Sequence, residues 1–259
     1  KPAFTELLQI DPKKVDAKLY PRVSPLIVYD LSQNGLPDIV LAGCNLVYRN
    51  QGGGKFQHEP MLRNPIMPIG DAGILSDFNG DGQVDFISTG KEDGLLRLWT
   101  GSAGGQFNAT PSVCFHGKYE NQHTMTAADI DLDGDLDLFV GQWKQPYLRG
   151  SMPTPYYDAN DGYPDTLLLN DGAGQFTDGT VAAGLSGKRN RRTYSASFAD
   201  LDGDHDLDLF TVCDFSGIDL YRNDGRGGFT DVTDRWVKQR HGFGMSHVVN
   251  DFDGDGALD

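Results

Sequence analysis

The sequence predicts an all-β fold, a β-propeller of four-stranded antiparallel blades, on three observations. A nine-residue acidic motif recurs five times, its first residues 47, 52, 71 and 51 positions apart. A Gly-rich turn closing on Phe recurs between the copies, at 50–56, 101–107, 170–176 and 223–229, always 27–30 positions before the next acidic motif. Short apolar or β-branched runs flank both motifs, as strands do. Self-similarity at about fifty residues marks radially repeated supersecondary units. Glycine agrees: 33 of 259 residues, with no collagen period, call for many tight turns and exclude a helix bundle.

Each unit reads the same way. A first strand precedes the acidic motif (25–29, 73–76, 125–128, 194–198 and 246–249) and a second follows it, from Ile39, Phe86, Leu138 and Leu209. A third enters the Gly-rich turn from Leu46, Leu95, Thr166 and Leu220, and a fourth leaves it at the Phe. The Asn-Gln-Gly and Asn-Asp-Gly starts of three turns suit a hairpin, because Asn and Gly tolerate positive φ. The blades so predicted cover about 24–62, 72–113, 124–181 and 194–237, with the start of a fifth at 245–259. The third unit is longer because of an insert at 142–165. Phe4-Thr-Glu6 resembles a fourth strand, so a ring closed by strands from both chain ends is expected. The second and third strands of that last blade have no source here, and the expectation is an incomplete propeller from a longer, seven-bladed chain. Beginning at Lys1 without Met, the chain is expected to have lost any targeting peptide or to be recorded without it.

Composition narrows the class. Against 37 acidic residues stand 22 basic ones, a net charge of −15, which disfavours nucleic acid and acidic membrane surfaces as partners. No run approaches the ~18 apolar residues of a membrane span, so no direct membrane insertion is expected. Cys44, Cys114 and Cys213 are too few for a disulfide framework; buried free thiols are expected, with one disulfide as the alternative.

The acidic motifs hold 19 of the 37 acidic residues. Crowding up to five carboxylates into nine residues is costly without a cation. An oxygen-only donor set with no His, Cys or Met selects a hard one, calcium or less well magnesium. Positions 1, 3, 5 and 9 carry side-chain oxygens in every copy: Asp30, Ser32, Asn34 and Asp38; Asp77, Asn79, Asp81 and Asp85; Asp129, Asp131, Asp133 and Asp137; Asp200, Asp202, Asp204 and Asp208; Asp251, Asp253, Asp255 and Asp259. Position 7 varies (Leu36, Gln83, Asp135, Asp206, Ala257), as expected of a backbone carbonyl donor. Positions 2 and 8 are apolar throughout and are expected to anchor the loop in the core. Position 6 is Gly except for His205, where a positive φ is expected. An EF-hand needs Glu at position 12 and flanking helices; here position 12 is Leu41, Ser88, Val140 or Thr211, and strands follow. Up to five calcium sites are thus read, the first the weakest because only Asp30 and Asp38 are charged.

These repeats resemble those of FG-GAP/VCBS proteins, seven-bladed propellers found in integrin α chains, some fungal lectins and many secreted bacterial proteins. The motif Asp129-Ile-Asp-Leu-Asp-Gly-Asp-Leu-Asp137 and its copies match that family's calcium signature. Leu220-Tyr-Arg-Asn-Asp-Gly225 with Gly228-Phe-Thr-Asp-Val-Thr233, Ala182-Ala-Gly-Leu185 and Gly242-Phe-Gly-Met245 resemble the cartilage-acidic-protein-like, or ASPIC/UnbV, branch. The resemblance spans residues 24–259. It implies a secreted calcium-stiffened binding or adhesion scaffold, extracellular or periplasmic, with no ligand common to the family.

In a four-stranded meander the acidic loops and Gly-rich turns share one end. The insert 142–165 and the connection 187–193 lie at the other. The insert carries Trp143, Tyr147, Tyr156 and Tyr157, and the connection Arg189, Arg191 and Arg192. Aromatic platforms beside positive charge suit a glycan or an acidic protein ligand. The alternative is that the aromatics pack the insert down and the arginines pair with nearby Asp. No nucleophile or metal-ligand spacing involves the six His, although His123 and His241 fall at the ligand end. A secreted lyase or hydrolase built on the propeller is the alternative function.

Overall fold

The computed structural model describes residues 26–63, 69–147 and 150–258. Asp259 and the Phe4-Thr-Glu6 segment lie outside them. The chain divides into two compact units, one ending at Val113 and excluding 78–80, the other made of 78–80 and the chain from Cys114 onward.

The first unit opens with a sheet of β1 (Leu26–Tyr29), β2 (Asp38–Leu41), β3 (Leu46–Asn50) and β4 (Phe56–Pro60), adjacent in chain order. Antiparallel register sets Ile39 against Tyr48 and Val40 against Val47. The next sheet is formed by β5 (Ile69–Ser76), β6 (Asp85–Gly90) and β7 (Leu95–Trp99). Gly101–Phe107 then makes a small hairpin of its own, β8 (Gly101–Ser102) with β9 (Gln106–Phe107). The fourth place in that sheet goes to β10 (Ser112–Lys118), along which the chain passes into the second unit. The fourth strand thus starts at Ser112 and not at the Phe: although the turn has the spacing of the others, Gly101–Ser102 and Gln106–Phe107 pair with each other as a separate short hairpin.

In the second unit β11 (Gln122–Ala128), β12 (Asp137–Gln142), β13 (Thr166–Asn170) and β14 (Phe176–Asp178) form one meander. The other is β15 (Arg192–Ala199), β16 (Asp208–Asp214), β17 (Gly217–Asn223) and β18 (Phe229–Asp231), followed by one helical turn at Thr233–Trp236. The all-β class and the four-stranded antiparallel blade are therefore the observed ones.

The second strands β6 and β12 are buried along their whole length, polar Ser88, Thr89 and Gln142 included. Val40, Val47, Phe86 and Trp99 anchor the core of the first unit, and Ile130, Leu167, Leu209 and Phe229 that of the second. Each such side chain contributes about 1.5–3 kcal/mol on burial. β14 and β18 are three residues long, which limits the backbone left unpaired at a sheet edge. None of the three cysteines is disulfide-bonded. No helix among the described residues is long and apolar enough to cross a membrane.

The expected strand 246–249 is not formed: residues 241–250 hold no strand, and Val248 is exposed. A strand requires a hydrogen-bonded partner, and no described segment pairs with this one.

Candidate metal centres and ligand face

The five acidic loops close on themselves in one pattern. The position-1 carboxylate accepts backbone N–H groups from across the turn: Asn34 and Gly35 donate to Asp30, Asp81 and Gly82 to Asp77, and Asp133 and Gly134 to Asp129. Gly203 and His205 donate to Asp200, and Gly254, Asp255 and Gly256 to Asp251. The position-5 side chain accepts the N–H of position 7 in each, from Leu36 onto Asn34 (2.8 Å) through Ala257 onto Asp255 (2.8 Å). His205 takes the positive φ expected of it, 73°. Position 4 is left-handed too, even where it is Gln33 or Leu132 (φ 54° and 62°), which the residue types did not disclose.

This winding brings three carboxylates to within 4.8 Å of one another in Asp129/Asp131/Asp133, Asp200/Asp202/Asp208 and Asp251/Asp253/Asp255. Oδ1 of Asp131 and Oδ2 of Asp137 are buried with no hydrogen-bond partner. An unpartnered buried carboxylate oxygen is expensive. Burial, reinforced by Asp133, raises the Asp131 carboxyl above its ordinary range. Burial pushes Asp137 up to about 6 and also raises Asp208. Such a donor set suits a hard divalent cation, which would neutralise the charges that otherwise drive these groups to hold protons.

Position 9 joins the loop to the Gly-rich turn of its own sheet. Asp38, Asp85, Asp137 and Asp208 accept the N–H of Asn50, Gly101, Asn170 and Asn223 at 2.7–2.9 Å. Beyond the turn-forming role that their type suggests, the Asn side chains each cap a loop carbonyl, Asn50 donating to Pro37. Asn170 donates to Leu136 and Phe78, and Asn223 to Leu207 and Ile130. The apolar anchors divide: Leu31, Phe78 and Ile130 are buried, whereas Pro37, Phe252 and Leu258 are exposed, the last two because no strand among the described residues pairs beside the fifth loop. Its Asp259 lies outside the described residues.

At the other end of the second unit, the insert between β12 and β13 packs on the connection before β15. Gly162 and Asp165 receive carbonyls from that connection, donating to Asn190 and Arg189 at 2.6 Å. Arg191, 3% exposed, pairs with Asp219 (3.0 Å) and Asp158 (2.7 Å). Arg192, fully buried, pairs with Asp161 (2.9 Å) and donates to the Lys144 carbonyl. These two arginines therefore clamp the insert from within and do not present a basic surface. Arg189, partly exposed, reaches Asp178 at 3.7 Å.

The aromatics stay near the surface, in two groups. Trp143, His123 and Tyr194 have ring centroids 4.5–5.8 Å apart, and Trp143 Nε1 donates to Asp214 (3.3 Å). Tyr156 stacks edge-on with Tyr157, Phe215 and Phe243, and its hydroxyl lies 2.9 Å from that of Tyr147. Tyr157 is 69% exposed, and Tyr147 and Phe243 are exposed with it. His123, expected at this end, packs on Trp143 and Tyr194, while Tyr194, Phe215 and Phe243 join the face through contacts that sequence spacing alone did not disclose.

Sheets of this build, each with an acidic loop tied to its own hairpin, define a blade-repeat protein. The chain belongs to the FG-GAP-like repeat family, whose model matches residues 77–140, 157–211 and 206–259. Among solved structures it is similar to a lectin of Agrocybe aegerita described for specific recognition of non-reducing terminal N-acetylglucosamine, at 21% identity and a TM-score of 0.50. The match covers 79% of this chain and 50% of the lectin, so the chain spans about half that protein's length. No curated protein matches.

Proposed function

We propose that this chain is an extracellular, calcium-stiffened binding scaffold that takes a glycan on the aromatic face of its second unit. The observation that carries the ligand reading is the half-open shelf of Tyr147, Tyr156 and Tyr157, with Trp143 in a second aromatic group beside Tyr194, at the end of the sheets away from the acidic loops. Rings held edge-on by neighbours offer faces to sugar rings at little entropic cost. Because Arg191 and Arg192 are consumed in internal pairs, a neutral glycan suits the shelf better than an anionic one or an acidic protein segment. The lectin's fold supports the reading only as a scaffold of similar build. The motif resemblance to the cartilage-acidic-protein-like branch supports secretion.

Calcium, when bound, supplies positive charge to the converged carboxylates. Asp129, Asp131, Asp133 and Asp137 would hold one ion, and Asp200, Asp202, Asp204 and Asp208 another. Asp77, Asn79, Asp81 and Asp85, and Asp251, Asp253 and Asp255, would hold two more. Affinities of ~10⁻⁴–10⁻³ M, usual for extracellular modules, match a calcium-rich compartment. A neutral and anionic glycan array, probed in calcium with wild type, Trp143→Ala and Tyr157→Ala, tests the ligand. A hit weakened by either substitution, with no released sugar, supports it. No hit, hits indifferent to both changes, or turnover of the glycan would reject it.

A further inference from the structure

The first acidic loop differs from the others in what its position-9 carboxylate touches. Asp38 Oδ1 accepts the Asn50 N–H, as in the other sheets, but Oδ2 receives Arg49 Nη1 at 3.1 Å. The Arg49 guanidinium is only 14% exposed and is fixed on its remaining edges by Glu59 (2.7 Å) and the Gly105 carbonyl (2.6 Å). In the third loop the matching oxygen, Asp137 Oδ2, is buried with no partner. The residue before the hairpin there is Leu169, and in the second sheet it is Thr100, neither of them charged. In the fourth sheet it is Arg222, but that side chain is 49% exposed and lies 3.7 Å from Asp202, free to swing away. Arg49 has no such freedom.

We propose that the loop 30–38 carries its own cation, the Arg49 guanidinium, and takes no metal ion. A poorly exposed positive charge on the carboxylate that a divalent ion would use repels that ion with little screening from salt. Glu59 shares that charge from outside the loop, but Ser32 and Asn34 bring none, so Asp30 is the loop's only carboxylate besides Asp38. The loop keeps the shape of a calcium loop because its turn is closed by N–H bonds to Asp30 and Asn34, which need no ion. This inference rests on the reading that the other loops bind calcium.

Counting bound calcium by native mass spectrometry on the whole chain tests it, with Asp133→Ala as the control for the underlying reading. Asp133→Ala should lose one ion, Asp30→Asn should lose none, and Arg49→Gln should gain one that the double variant Asp30→Asn/Arg49→Gln loses again. Loss of an ion in Asp30→Asn, or no gain in a folded Arg49→Gln, overturns the proposal while leaving calcium binding elsewhere intact. If Arg49→Gln does not fold, Asp30→Asn decides alone. A wild-type chain that binds no calcium removes the underlying reading and this one with it.

Discussion

Asn223 and Ile130 lie 93 positions apart and are joined by a 2.8 Å hydrogen bond from the Asn side-chain amide to the Ile carbonyl. The backbone N–H of Asn223 meanwhile donates to Asp208, so one residue holds its own acidic loop and that of the preceding sheet. Gly227 donates to the same Ile130 carbonyl, and both polar ends of the joint are withdrawn from water.

Replacing Asn223 by Ala should therefore cost more than a surface change. The Leu207 carbonyl loses its side-chain donor and the Ile130 carbonyl keeps only the Gly227 N–H, at about 0.5–1.5 kcal/mol for each hydrogen bond lost. Urea unfolding of the calcium-loaded protein should show a lower midpoint with an unchanged slope. A loss under about 0.5 kcal/mol, the size of a neutral surface substitution, would mean that the joint is replaceable.

Asp137→Asn should have opposite effects with and without calcium. Without the ion, it removes a buried charge whose Oδ2 has no partner, keeps an Oδ1 for the Asn170 N–H, and should leave stability equal or higher at pH 7. With the ion, it should forfeit most of the stabilisation that the third loop contributes. Melting curves in EDTA and in millimolar calcium separate the two; a variant weaker in both would show that Asp137 serves packing alone. In wild type, exhaustive chelation should lower the melting temperature, since a ligand bound only by the native state stabilises it by mass action.

Arg192→Leu should loosen the insert. The guanidinium holds Asp161 and the Lys144 carbonyl from a fully buried position, so its loss leaves the carbonyl without that donor and Asp161 with Lys144 Nζ 3.9 Å away. Arg192→Lys should rescue little, because an ammonium cannot reproduce the two-nitrogen grip on Asp161. Limited proteolysis should cut within 143–165 faster in both variants. Wild-type resistance in Arg192→Leu would show that the pair is dispensable.

Asp165 should make stability depend on pH. Its carboxyl is buried against the Gln142 N–H and the Thr193 hydroxyl, and burial raises it well above the ordinary value of 3.8. The folded chain then keeps a proton that the unfolded chain releases near pH 4. The stabilisation is thus full at lower pH and declines as pH rises through the folded value. Asp165→Asn, which can donate and accept at the same two partners, should flatten that decline. Parallel melting-temperature profiles in the two proteins would contradict this.

The blades were legible because their signals are local: a loop, a turn and the strands beside them lie within about fifty residues. The fourth strand of the second sheet was misplaced to Phe107 because that turn matches the others in length while closing a hairpin of its own. At the ligand end, the positive cluster at 189–192 was visible, but its fate was not. Arg191 and Arg192 are neutralised by Asp219 and Asp161, 28 and 31 positions away, with no period to announce the pairing. Arg49 was hidden similarly: next to a turn Asn it reads as a surface strand residue, and only the approach of Gly105 shows that it is enclosed.

Because Asn223 reaches back to Ile130, neighbouring sheets of the second unit are stitched together across the boundary of the sequence repeat. A shortened or recombined version cut neatly between sheets would strip the 130–137 loop of the amide that caps it. Cuts made just after a Gly-rich turn, with that turn retained alongside the loop it grips, would preserve the seam. The transplantable piece of this chain is therefore a sheet together with the hairpin of its successor.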